Sequence, residues 1–116
     1  MKKIKVKKND IRLNFLQGKK IKGIGKISAK ETAKKNISGT TKSCTNLCIE
    51  NVELKINNNT IYVLDHLWLQ ERKIPKSLVR KSQIGDCISF ACETYKYRVK
   101  SDYNRFSVKI LDYVIE

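Results

Sequence analysis

Long apolar runs are missing from this chain of 116 residues, and so are most residue patterns that mark an enzyme. No stretch approaches the roughly 18–20 consecutive apolar residues of a membrane-spanning helix, so no membrane partner is expected. The start, MKKIKVKKNDIRLNF, has the charges of a signal peptide but no apolar stretch behind them, which predicts a cytoplasmic protein. The one histidine, His66, follows Asp65, and neighbours on a strand project to opposite faces, so the two make no dyad by themselves. No glycine-rich phosphate loop, HExxH or GxSxG occurs. Nothing supports Cys44 or Cys92 as a nucleophile beside His66. These absences argue against an enzyme and call for no cofactor.

Acidic residues are scarce in one half only. Residues 1–42 hold fourteen Lys/Arg against Asp10 and Glu31, a net +12, whereas residues 43–116 contribute only +2 to the total of +14. A lysine-rich coding bias supplies many lysines, but it does not sort charge by position. A basic half beside a near-neutral half is an electrostatic footprint, and its usual partner is a polyanion. An acidic protein surface is the other partner such a charge fits.

Cysteine is also sparse. Cys44-x3-Cys48 and Cys87-x4-Cys92 have spacings that structural zinc tolerates. Zinc knuckles, however, present CxxC in a glycine-containing turn, and Cys87 and Cys92 point to opposite faces of a regular strand. Reduced thiols used as small apolar residues are the simpler reading, and no metal site is expected.

What is present is β patterning. With 41% hydrophobic residues the chain supports one modest core. Residues 1–9 have no clear partner and read as a flexible basic arm, with one domain over 10–116. "IRLNF" alternates with period two and reads as extended. In "IKGIGKISAK", Lys20, Lys22, Lys26 and Lys30 share one face, and Gly23 and Gly25 suit a strand that bends or meets another backbone closely. Residues 31–43 read as a long exposed loop. "CTNLCIENVELKI" is a strand, the asparagines at 57–59 a hairpin turn, and "TIYVLDHLWLQ" a strand apolar on both sides, with Trp68 in the core. "ERKIPKSLVRKSQ" is the one helix, with Pro75 in its first turn. After a Gly85-Asp86 turn, "CISFACETYKYRV" resumes β structure, with a bulge expected near Glu93-Thr94, and "FSVKILDYVIE" closes the chain. One short helix between the third and fourth strands of a curved five-stranded sheet is the order of an OB-like Greek-key barrel, all-β and oligonucleotide-binding. An SH3-like barrel is the structural rival.

The candidate binding constellation lies late in the chain. Lys96, Arg98 and Lys100 interleave with Tyr95, Tyr97 and Tyr103, and Arg105 and Phe106 follow. Single-strand binders combine aromatic faces that stack on bases with cations that track phosphates. Tyr95 and Tyr97 share a face about 7 Å apart along a strand, a spacing that also serves ordinary packing of strand-forming tyrosines. Lys20, Lys22, Lys26 and Lys30 would hold phosphates, while Tyr95, Tyr97 and Arg98 would meet bases.

"DHLWL" and the "IGDCISFA" pattern, with the aromatic-rich closing strand, give roughly the last two-thirds of the chain a resemblance. It resembles small OB-like single-stranded-DNA-binding or replication accessory proteins of Gram-positive phages and chromosomal-cassette mobile elements. The resemblance implies single-stranded nucleic acid, DNA above RNA, as ligand, and a polymerase, primase or helicase as partner. A protein-interaction subunit of such an enzyme, or a phage inhibitor of a host nucleic-acid enzyme, is the alternative.

Overall fold

A computed structural model describes residues 2–99 and 102–116, and the side chains at 35, 37, 98, 99 and 102–105 lie outside the description. The all-β class holds, with one continuous sheet and little helix. Strands β1 (Lys2–Lys5), β2 (Lys20–Ile37), β3 (Thr40–Lys55), β4 (Thr60–Leu69), β5 (Cys87–Val99) and β6 (Asp102–Ile115) form a six-stranded sheet in the order β1-β4-β3-β2-β5-β6. Five strands were expected, and the sixth comes from the segment expected to lack a partner. β1 pairs in parallel with β4, Lys3 opposite Ile61 and Lys5 opposite Val63. All other pairings are antiparallel.

"IRLNF" corrects the period-two reading. Ile11–Leu16 is a 3-10 helix in which Leu13 and Leu16, one three-residue turn apart, are buried. Ile11 and Phe15, which an inward strand face would have hidden, are 72% and 76% exposed. Asp10 starts the turn by accepting a hydrogen bond from the Arg12 N–H at 2.9 Å.

The sheet curls because its strands switch phase. In β3 the inward residues are Leu47 and Ile49, then Val52 and Leu54; in β4 they are Leu64, then Leu67 and Leu69. The switch falls at Asn51, which has φ +51°, a left-handed conformation that asparagine tolerates. Further register shifts in β2 follow Ile24 and Ile27. Gly23 lies under the side chains of its two cross-strand partners: a Cβ there would stand 2.7 Å from the Phe90 ring and 2.9 Å from Leu54 Cδ2. The glycine signal for close backbone approach thus has a named cause at Gly23.

In β5 the inward series Ile88, Phe90, Cys92 and Thr94 is unbroken. No bulge falls at Glu93-Thr94. Instead Ala91 pairs with Asp112 and Cys92 with Ile110, so the extra residue is Leu111 on β6, and a second shift lies between Tyr97 and Val99. Past the end of β2, Thr94 closes the core, its hydroxyl donating to the Leu16 carbonyl. The helical segment comprises a 3-10 turn, Glu71–Lys73, and helix α1, Lys76–Lys81, with Pro75 just before it. Ile74 and Leu78 are buried against the sheet, and the Ser77 hydroxyl meets the Tyr113 hydroxyl at 2.6 Å. Opposite, β6 leans on β4, the Ser107 hydroxyl donating to the Trp68 carbonyl at 3.2 Å. Trp68 itself is half-buried rather than a member of the core.

The stretch read as a loop at 31–43 is instead the far end of the β2–β3 hairpin. β2 and β3 stay in register from Lys30 opposite Leu47 to Ile37 opposite Thr40. They join through Ser38 and Gly39, at φ +52° and +78°, a two-residue turn whose twist suits the strands it joins. Polar composition suggested a loop; the threonines, with Thr32 and Thr45 hydrogen-bonded across the strands at 3.0 Å, serve the ladder instead.

Candidate nucleic-acid interface

Tyr95 and Tyr97 sit where β5 runs on beyond β2, whose last partner on this side is Lys20 opposite Glu93. Both rings are half-buried, 6.1 Å apart between centroids and tilted by 45°. The Lys73 ammonium stands 4.6 Å from the Tyr95 ring centroid, a cation–π contact that covers one ring face. Burial pushes the Tyr95 phenol above its ordinary value; a hydrogen bond with Ser107 opposes this, the neighbouring Tyr97 adds to it, and the Arg72 charge opposes it. Tyr95 therefore stays neutral at physiological pH, as a stacking ring requires. Lys96, between the two tyrosines, is half-buried.

Next to this pair the second 3-10 turn and α1 build a cavity of about 840 Å³ against the base of the β2–β3 hairpin. Ile74, extended just before Pro75, and Leu78 within α1 anchor the segment to the core. Lys76 and Arg80, i and i+4 in α1 and each two residues from Leu78, share the face away from it. Together with Arg72 they give the cavity three cationic side chains against one carboxylate, Glu71. Ile74 and Val79 supply apolar lining, and Cys44 and Asn46 of β3 form the opposite wall, where the Asn46 side chain accepts from the Glu71 N–H at 3.3 Å. Among the described residues none of the three cations is in an ion pair; Arg72 donates to the Gln70 side chain at 3.0 Å. Arg72 lines the cavity and Lys73, beside it in sequence, caps the Tyr95 ring, which sets the cavity next to the tyrosines.

Of the lysines read from the sequence, Lys20, Lys22 and Lys26 are exposed on the outer face of β2. They share the tyrosines' side of the sheet by register, but β2 leads away from them: Lys20 lies about 7 Å along the strand direction from Tyr95 and Lys26 about 27 Å. This face also carries acids, with Glu93 opposite Lys20, Glu53 opposite Ile24 and Glu50 opposite Lys26. Lys30 is exposed, and its ammonium donates to the Ser82 carbonyl at 3.1 Å, beside the end of α1. The side chains of Arg98, Lys100, Tyr103 and Arg105 lie outside the described residues. Arg72, Lys73, Lys76 and Arg80 were missed in the sequence, where they read only as helix. The available signal was the basic i, i+4 pair Lys76 and Arg80 with Leu78 between them on the other face.

The cysteines do not gather. Cys87 is exposed and Cys92 buried on the opposite face of β5, as its strand spacing requires. Burial pushes the Cys92 thiol up to about 12, which suppresses the thiolate that a nucleophile or metal ligand needs. Among the described residues no group of three or more His, Cys, Asp or Glu side chains is placed to hold a metal. Asp65 is in an ion pair with Lys5 at 3.3 Å. No family model matches the chain, and no curated protein matches it in sequence; the site stands on its own residues.

Proposed function

We propose that the protein binds single-stranded nucleic acid, DNA above RNA, as an accessory in the replication of a phage or mobile element. The observation that carries this reading is the adjacency of two half-buried tyrosines to a cavity lined by three cations that form no ion pair among the described residues. Bases stack on Tyr95 and Tyr97, worth roughly 1–3 kcal/mol each, while Lys73, Arg72, Lys76 and Arg80 take the phosphates. A base on the Lys73 side of Tyr95 displaces the ammonium, which then meets the backbone of the same strand. Lys20 and Lys22 extend the positive surface along β2. An OB-like Greek-key barrel is the arrangement we read from this order: β2, β3 and β4 form a meander, α1 follows, β5 returns to β2, and β6, an edge strand paired with β5, approaches β4. In that description β1 is an addition to the five barrel strands.

The test is a salt series of titrations against single-stranded DNA, duplex DNA and RNA oligomers. Affinity for single strands should fall with a log–log slope near −0.7 per phosphate contact, and Arg72→Ala with Arg80→Ala should flatten that slope by more than one unit. A slope that Arg72 and Arg80 do not influence would remove the cavity from the interface.

A second reading, that the protein is an interaction subunit of a polymerase, primase or helicase, is favoured by the outer face of the sheet. There Ile24 and Val114, 48% and 61% exposed, flank a groove of about 500 Å³ with Lys22 and Lys55 beside Glu53 and Asp112. Apolar centres rimmed by charges of both signs suit protein partners. An interaction subunit alone would bind oligonucleotides weakly or not at all.

A further inference from the structure

The β2–β3 hairpin outgrows its sheet. β5 accompanies β2 only from Lys20 to Lys26, and β4 accompanies β3 only from Leu47 onward. Between them seven rungs, from Glu31 opposite Asn46 to Ile37 opposite Thr40, form a two-stranded ribbon with no neighbouring strand on either side among the described residues. At about 3.4 Å per residue it reaches roughly 25 Å beyond the sheet. Residues 31–34 and 38–43 are exposed on both faces. An isolated two-stranded ribbon is marginal in water, and this one is strongly basic: Glu31 is its only acid against Lys34, Lys35 and Lys42.

We infer that this ribbon docks on duplex nucleic acid, so that the ligand class is a junction between single and double strands. The inference rests on the single-strand reading of the tyrosine surface. A two-stranded β-ribbon is one of the two elements that the B-form major groove, about 12 Å wide, admits. Lys34 and Lys42 occupy opposite phases of the ladder and project from opposite ribbon faces, so a ribbon seated between two phosphate walls turns a cation to each. Small polar residues, Thr40, Thr41 and Ser43 among them, line the ribbon where a bulky apolar surface would be excluded from the groove. Phosphates also offset the ribbon's excess of positive charge, three lysines against Glu31. The ribbon springs from the cavity itself, Cys44 and Asn46 being both cavity wall and ribbon base. A strand leaving a duplex on the ribbon therefore runs directly into the Arg72, Lys76 and Arg80 cavity and on to Tyr95.

Fluorescence anisotropy on the full chain tests this with a homothymidine single strand, a blunt duplex, and that duplex carrying the single strand as a 5′ or a 3′ overhang. Joining two sites on one ligand multiplies affinity, so one overhang duplex should bind at least about tenfold tighter than either component. Lys34→Glu with Lys42→Glu should bring the overhang duplex down to the single strand's affinity and leave the single strand within about twofold. Lys34→Ala with Lys42→Ala, a milder change at the same exposed positions, should move the overhang duplex in the same direction by less. Equal binding of overhang duplex and single strand would overturn the junction assignment while leaving the single-strand reading intact. Loss of single-strand binding in step with the overhang duplex would also overturn it, giving the ribbon to the single-strand path. Binding of no probe at all would remove both readings together.

Discussion

Truncating Tyr95 separates stacking from packing, and the structure sets the size of each effect. A fully buried large aromatic cut to alanine costs about 3–5 kcal/mol. Tyr95 is half-buried, so its share is about half of that, with the Lys73 cation–π contact included at about 0.5–1 kcal/mol. Tyr95→Ala should therefore destabilise the fold by about 2 kcal/mol, a fall of roughly 6–12 °C in Tm for a domain of this size. Tyr95→Phe keeps the ring and loses only the hydroxyl's bond with Ser107, about 1 kcal/mol. Binding should sort the same variants differently. Tyr95→Ala should lose roughly 1–3 kcal/mol of single-strand affinity, about 5- to 150-fold, and Tyr95→Phe almost none. Lys73→Ala adds a third arm, because it bares the ring face without touching the ring. Thermal melts run beside anisotropy titrations, at a temperature where every variant is folded, read both scales. Unchanged affinity in folded Tyr95→Ala would refute base stacking on β5, and the interaction-subunit reading would take first place.

Gly23→Ala places a methyl 2.7 Å from the Phe90 ring and 2.9 Å from Leu54, so overpacking should cost about 1–3 kcal/mol; a lowered urea midpoint at unchanged m reads this, and a neutral result would mean that the two cross-strand side chains move aside freely. Asp10→Ala removes the acceptor that starts the first 3-10 turn, at about 1 kcal/mol near neutral pH. The Arg12 hydrogen bonds hold the Asp10 carboxyl at about 2, below its ordinary 3.8, so its contribution is complete above that ordinary value and is lost as pH falls through about 2. The stability gap between wild type and Asp10→Ala should close over that acid window, and a gap that persists through it would refute the assignment.

Legibility in the sequence followed the range of the interactions. The strand at Cys87, the turns at 57–59 and Gly85, and the helical segment at Pro75 were readable because each depends on residues within a few positions. Ile11–Leu16 was misread because its apolar residues fit a period of two as well as one of three, and Asp10 as a capping residue was the only local arbiter. The ribbon at 31–43 was misread because a solvent-exposed ladder has no apolar alternation to betray it. The phase switch at Asn51 was invisible because it depends on how β3 wraps around the core. For the candidate site, the tyrosine pair is read directly from the sequence, whereas the cations packed near it lie 15 to 23 positions before Tyr95 in a segment whose spacing reads simply as helix. Only the packing of that segment against β6 and β3 brings Lys73 to Tyr95 and Arg80 to Cys44.

β1 has one further consequence, for crowding. Four residues, Lys2–Lys5, fill the hydrogen-bonding edge of β4, a strand rich in leucine, isoleucine and valine that would otherwise present a template for another chain. The guard is itself a poor template: it is short, and three of its residues are lysines. Lys3 and Lys5 fasten it to Glu53 and Asp65 at 3.2 and 3.3 Å. Copies of the chain meeting at this border would present only a short, lysine-bearing strand to each other, which disfavours propagation of the sheet from copy to copy there.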